Sequence, residues 1–219
     1  NYSGGISTIP ATATWRFRYI GSSIVPVITV GMFYPNLYFE STSGNHTFGA
    51  ATEIFTGAGG GFTTVKGNFY IGNTGTGAVE VFNSNTNVSP MQILGDMIIG
   101  GNGSGTTSKF ENNNNGTTVG TGLEIFGDLT IHTNGLLDFD EGTVATDGVV
   151  RLYGDWTDSN TGTGFAQGQS TVSFIGGSTQ TVSKAAGNEN FYNIVVNKPF
   201  GNLQNNANNM IVKNDMTFT

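Results

Sequence analysis

The sequence has no cysteine, which removes a disulfide framework, a thiolate nucleophile and any cysteine-held zinc in one step. Charge is almost as scarce. Asp, Glu, Lys and Arg make up 11% of the residues, against about 25% in ordinary soluble domains. Helices cover their solvent faces with Glu, Lys and Arg, so a chain this poor in them excludes a helical architecture. Basic residues are the rarest. Eight Lys and Arg stand against fifteen Asp and Glu, giving a net charge of −7 that repels a phosphate backbone and excludes nucleic acid as a partner. Long hydrophobic runs are also missing. The longest, Ile24 to Tyr34, is broken by Pro26, Thr29 and Gly31 and is about half the ~20 residues a spanning helix needs, so no membrane span is expected.

What the chain does contain is glycine, 34 of its 219 residues, and a comparable wealth of asparagine. Both favour turns and tolerate positive φ, which points to an all-β chain with many corners. Glycine keeps no period of three, so collagen is excluded. Hydrophobic residues at 37%, including 16 Phe, are enough to drive burial and argue against disorder. The chain opens at Asn1 with neither Met nor a leader pattern and reads as a processed product or a piece of something longer.

A short pattern recurs: apolar, any residue, apolar, any residue, Gly, Asp or Asn, apolar. It stands at Val65-Lys66-Gly67-Asn68-Phe69, Ile93-Leu94-Gly95-Asp96-Met97, Ile125-Phe126-Gly127-Asp128-Leu129 and Leu152-Tyr153-Gly154-Asp155-Trp156. An altered copy is Val212-Lys213-Asn214-Asp215-Met216. The marker glycines are Gly67, Gly95, Gly127 and Gly154. Their even spacing suits one coil of a parallel β-solenoid per interval, with Gly and Asn forming the corner where φ turns positive. Apolar alternation predicts strands over 13–20, 24–30, 36–40, 52–56, 62–71, 78–82, 91–99 and 123–131. It predicts others over 136–139, 149–156, 171–175, 179–183, 191–197 and 210–218, with turns between them, one of them over 202–209.

A longer similarity links Phe17 to Gly21 with Val172 to Gly176, and Phe33-Tyr34 with Phe191-Tyr192, at nearly equal offsets. It suggests one module over residues 1–160 and the start of a similar, continuous module over 161–219.

Three stretches carry a family resemblance: Gly154-Asp155-Trp156, Val172-Ser173-Phe174-Ile175-Gly176 continuing to Gln180 and Val182, and Phe191-Tyr192-Asn193-Ile194-Val195-Val196. In this order they resemble a recurring stretch of large secreted surface proteins of Bacteroidota. The resemblance implies an extracellular, adhesin-like or filament-like repeat protein of the cell surface, exported by the type IX route. That route normally uses a C-terminal sorting domain, and none is visible here.

Candidate chemistry is thin. The Gly-rich run from Gly101 lacks the Lys-Ser/Thr pair of a phosphate loop. Asp138, Asp140 and Glu141 could hold Ca²⁺ through oxygen ligands, although alternation placing Asp138 and Asp140 opposite Phe139 makes a solvated face the simpler account, and no cofactor is expected. Asp96, Asp128, Asp155 and Asp215 read as corner residues whose side chains bond nearby backbone amides. His46 and His132 are isolated, and no nucleophile, acid pair or basic cluster suggests an enzyme. Trp156 and Phe69 share a repeat position with Met97, Leu129 and Met216, which makes a buried stack the expected job. Tyr38 and Tyr192 are the residues most suited to touch a glycan.

The resulting expectation is an elongated parallel β-solenoid with coils of about 27 to 32 residues, an array of β-sandwich domains being the structural alternative. Its expected work is mechanical and adhesive, a stiff stalk or filament touching neighbouring copies or modules end to end. A carbohydrate-binding β-helix is the runner-up, with surface glycans as partners, and a polysaccharide-degrading enzyme the third reading.

Overall fold

The computed structural model describes residues 17–20, 33–40, 46–48, 63–72, 78–83, 91–101, 107–112, 122–140 and 148–219. Among them there is no helix, and 21 strands follow one another. In chain order these are β1 (Phe17–Ile20), β2 (Phe33–Tyr34), β3 (Leu37–Glu40), β4 (His46–Phe48), β5 (Thr63–Val65), β6 (Phe69–Ile71) and β7 (Val79–Asn83). Next come β8 (Met91–Ile93), β9 (Met97–Ile99), β10 (Ser108–Asn112), β11 (Leu123–Ile125), β12 (Leu129–Ile131), β13 (Gly135–Asp138) and β14 (Val149–Leu152). The last are β15 (Trp156–Asp158), β16 (Phe165–Ala166), β17 (Thr171–Phe174), β18 (Gln180–Lys184), β19 (Asn188–Val196), β20 (Leu203–Asn205) and β21 (Asn209–Phe218).

They form three sheets, two of eight strands and a third of five that ends at β16. The first runs β2-β5-β8-β11-β14-β17-β19-β21, the second β1-β3-β6-β9-β12-β15-β18-β20, and the third β4-β7-β10-β13-β16. Every strand pairing among the described residues is parallel, as in Leu123↔Met91 and Leu129↔Met97. Antiparallel hairpins, which a β-sandwich requires, do not occur among them. The fold is a parallel β-solenoid.

Coil length can be followed down one column of the first sheet, where Thr64, Gln92, Glu124, Arg151, Ser173, Val195 and Thr217 pair in turn. The longest step is Gln92 to Glu124, and the steps from Arg151 onward are all equal and the shortest of the column. The shortening begins where the third sheet stops, at the two-residue β16. Beyond it, β19 runs straight from one side of the coil into the first sheet through an irregularity between Phe191 and Asn193. Strand pairing continues without a break across residue 160, through Trp156↔Val182.

Strands β6, β8, β9, β11 and β12 alternate buried, half-buried, buried, as a sheet with one wet face dictates. On the second sheet the inward column Leu37, Phe69, Met97, Leu129, Trp156, Val182 is fully buried. Each such side chain contributes about 1.5 to 3 kcal/mol by leaving water. The expected stack at Trp156 and Phe69 is this column, and Met216 is not in it. Met216 pairs with Ile194 in the first sheet and is exposed.

Several expected strands divide. Residues 62–71, 91–99 and 123–131 each resolve into two three-residue strands separated by a corner at the Gly-Asx pair, because the backbone must turn from the first sheet into the second there. The window 202–209, expected as a turn, contains β20.

Candidate functional site

The corner between the first and second sheets is built from the Gly-Asx pairs. The Asn68 N–H donates to Asn36 Oδ1 at 2.8 Å, the Asp96 N–H to Asn68 Oδ1 at 3.0 Å and the Asp128 N–H to Asp96 Oδ1 at 2.9 Å. The Asp155 N–H donates to Asp128 Oδ1 at 2.7 Å and the Thr181 N–H to Asp155 Oδ1 at 2.8 Å. These side chains do bond backbone amides, yet the amide belongs to the next coil rather than to the same turn. Five consecutive coil-to-coil links result. Beside them, Gly95, Gly127 and Gly154 each donate N–H to the glycine carbonyl one coil back, at 3.0, 2.9 and 3.1 Å.

The marker glycines Gly67, Gly95, Gly127 and Gly154 were expected for positive φ. The glycines with positive φ are others, among them Gly100 and Gly187. The reason for glycine at the corner is space. A Cβ on Gly127 would collide with Asp96 Oδ1 and the Gly95 carbonyl, and one on Gly154 with the Gly127 carbonyl and Asp128 Oδ1.

The remaining marker pair is different. Asn214 and Asp215 lie inside β21, next to the irregularity opposite Phe191 and Asn193, not at a corner. Asn214 Nδ2 donates to Asn193 Oδ1 at 2.8 Å, and Asp215 Oδ2 accepts from the Thr217 hydroxyl rather than from an amide. The resemblance to the corner motif is one of residue order only.

Tyr38, expected as an exposed glycan contact, is 7% exposed. Its ring stacks on Tyr70 with centroids 4.2 Å apart, because equivalent outward residues of adjacent coils sit in register. Tyr192 is half-buried in β19. Asp138 and Asp140 do project away from buried Phe139. The Asp140 N–H donates to Asp138 Oδ1 at 3.0 Å, and Glu141 lies outside the described residues. The cation beside Asp138 is Lys109, whose Nζ is 3.9 Å from Asp138 Oδ2, 2.5 Å from Glu80 and in contact with Glu111. Burial opposes its charge, but the carboxylates outweigh this and raise the Lys109 pKa; burial raises that of Asp138. Among the described residues no three metal-ligating side chains converge.

A different cluster was not anticipated. The second inward column of the second sheet runs Phe39, Ile71, Ile99, Ile131 and then changes to Asp158 and Lys184. The two side chains are 0% and 3% exposed, with Lys184 Nζ 2.5 Å from Asp158 Oδ2. Lys184 also donates to the Gly162 carbonyl at 2.9 Å, and Asp158 Oδ1 accepts from the Asn160 N–H at 2.8 Å. Glu189, 2% exposed, accepts from the Trp156 indole N–H at 3.3 Å. Burial first, and the Asp158 carboxylate second, push the Glu189 pKa up to about 8. Trp156, Phe165 and Phe191 pack around the group with ring centroids 4.9 to 5.9 Å apart. A cavity of about 210 Å³ adjoins it, lined in part by Gly162, Thr163, Lys184 and Glu189. The signal was alternation: Asp158 stands two positions after inward Trp156, and Lys184 two after inward Val182.

Gln180, the glutamine of the resembling motif, is also fully buried. Its Nε2 donates to the Leu152 and Gly154 carbonyls, and its Oε1 accepts from the Gly176 N–H and Lys198 Nζ. Desolvation lowers the Lys198 pKa there, with Asp155 acting against it.

Among the described residues β20 and β21 are the last strands of their sheets. Phe218 is 71% exposed, Met216 and Ile211 are exposed, and Leu203 and Met210 are half-buried. Val196, Leu203, Met210, Met216 and Phe218 help to line a groove of about 560 Å³ across this end. No protein-family model, curated protein or solved structure matches the chain, and no helix among the described residues is long and apolar enough to cross a membrane.

Proposed function

We propose that this chain is an axial segment of a stiff extracellular stalk or filament, with the adhesive role suggested by its resemblance to Bacteroidota surface proteins. The observation that carries the reading is the corner ladder, unbroken from Asn36 to Thr181, beyond which β20 and β21 present an exposed apolar face. Every coil bonds its neighbours along one axis, so tension or bending is borne by many parallel hydrogen bonds at once. The two ends of a solenoid are different surfaces, so copies meeting end to end make a heterologous contact that does not close. A further parallel coil fits the exposed apolar face, supplied by a neighbouring copy or by a neighbouring module of the same protein.

Sedimentation and electron microscopy over a concentration series test this. Rods that lengthen with concentration, and shorten when Phe218→Lys and Met216→Lys place charge on this apolar face, are the expected result. A species that stays a single copy at every concentration would remove the copy-to-copy contact.

A further inference from the structure

We propose that Lys184 and Asp158 are joined by an intramolecular isopeptide bond, an amide between Lys184 Nζ and Asp158 Cγ, formed without an external catalyst and with Glu189 relaying the proton. The bond staples one coil to the next.

Four observations converge on it. Lys184 and Asp158 are directly opposed on adjacent strands of one sheet, and Nζ already touches Oδ2 at 2.5 Å, the near-attack proximity that replaces a bimolecular encounter. The pair is buried, its side chains 0% and 3% exposed, beside the mutually packed rings of Trp156, Phe165 and Phe191. Burying two full charges costs several kcal/mol per ion, a cost that vanishes once they condense to a neutral amide. Glu189 supplies a second carboxyl group in the same buried site, held by the Trp156 indole, and burial keeps it protonated at neutral pH, as a general acid must be.

The step balances without any co-reactant. A proton passes from the Lys184 ammonium to the Asp158 carboxylate, and the freed nitrogen lone pair attacks Cγ. Glu189 protonates the oxygen that is to leave and recovers a proton from the nitrogen. The Cγ–Oδ2 bond breaks, the N–C bond remains, and one water departs; nothing is oxidised or reduced. The neighbouring cavity of about 210 Å³ has room for that water. Partners for the product are already in place. The amide oxygen keeps the Asn160 N–H that now reaches Asp158 Oδ1, and the amide N–H keeps the Gly162 carbonyl. The proposal rests on the chemistry of this core and not on the rod reading, since a solitary copy would form the same bond.

Intact mass spectrometry of the folded full chain tests it. The expected mass is one water below that of the sequence. A tryptic digest should contain a branched peptide joining the Asp158 and Lys184 segments, with cleavage after Lys184 lost. Lys184→Arg and Asp158→Ala should each restore the full mass. Glu189→Gln should leave a folded protein, judged by its β circular dichroism, that retains the water. Wild-type protein at full mass would overturn the proposal, as would a missing water that persists in Lys184→Arg. A water lost at the normal rate in Glu189→Gln would overturn the role given to Glu189.

Discussion

At the residue scale, Asp128 is both ends of a link: its N–H donates to Asp96 and its carboxylate accepts from the Asp155 N–H. Asp128→Ala leaves the Asp155 amide without that acceptor and should cost about 0.5 to 1.5 kcal/mol, read as a lower urea midpoint. Asp128→Asn keeps the accepting oxygen, as Asn68 does lower on the same ladder, and should fall well within that loss. Glu189 behaves differently because its folded pKa is raised from 4.5 to about 8. The neutral form's contribution is complete below about pH 4.5, declines as the unfolded chain ionises first, and is gone above about pH 8. Thermal midpoints of the wild type should therefore fall across that window relative to those of Glu189→Gln, whose amide does not titrate. Parallel pH profiles of the two proteins would expose an error in this assignment by coinciding throughout.

At the scale of elements, the junction from β17 to β18 depends on Gln180, which satisfies two carbonyls of the previous coil and one amide of its own. In Gln180→Ala the Leu152 carbonyl keeps the Ile175 N–H, but the buried Gly176 N–H loses its Gln180 acceptor and the Gly154 carbonyl its Gln180 donor. Each one left unpaired costs about 1 to 3 kcal/mol, so a loss exceeding that of Asp128→Ala is expected in the same urea titration. The three stretches that carry the family resemblance meet in one core: Trp156 lies 5.1 Å from Phe191, and Phe191 lies 6.1 Å from Phe174, centroid to centroid. Strand β20 shows the limit of reading by composition. Leu203-Gln204-Asn205 sits among asparagines and reads as a turn, but register with Gln180-Thr181-Val182 extends it. Tyr38 shows another limit, since alternation puts it on the outer face while the Tyr70 ring above covers it.

For the whole molecule, each coil is held by its two neighbours, so protection should depend on position along the axis. Amides of β11, β12 and β15, whose strands alternate buried and half-buried residues, should exchange with deuterium far more slowly than those of β20 and the end of β21, whose residues are largely exposed. Uniform exchange along the axis would contradict a stack stabilised coil by coil. Charge was a poor guide at this scale. The overall deficit of charged residues excluded helices but said nothing of where the few that remain would lie, and three of them, Asp158, Lys184 and Glu189, are buried.

The amino-acid order by itself determined the coil: the Gly-Asx marker fixes where the chain turns, and period-two alternation fixes which side chains face inward, because both are local requirements of backbone geometry. Only the stacked structure decided what each position meets one coil away. Contacts between successive coils depend on register, and register made the glycines a matter of clearance, turned the acids into an axial ladder and brought a lysine and two carboxyl groups together out of reach of water.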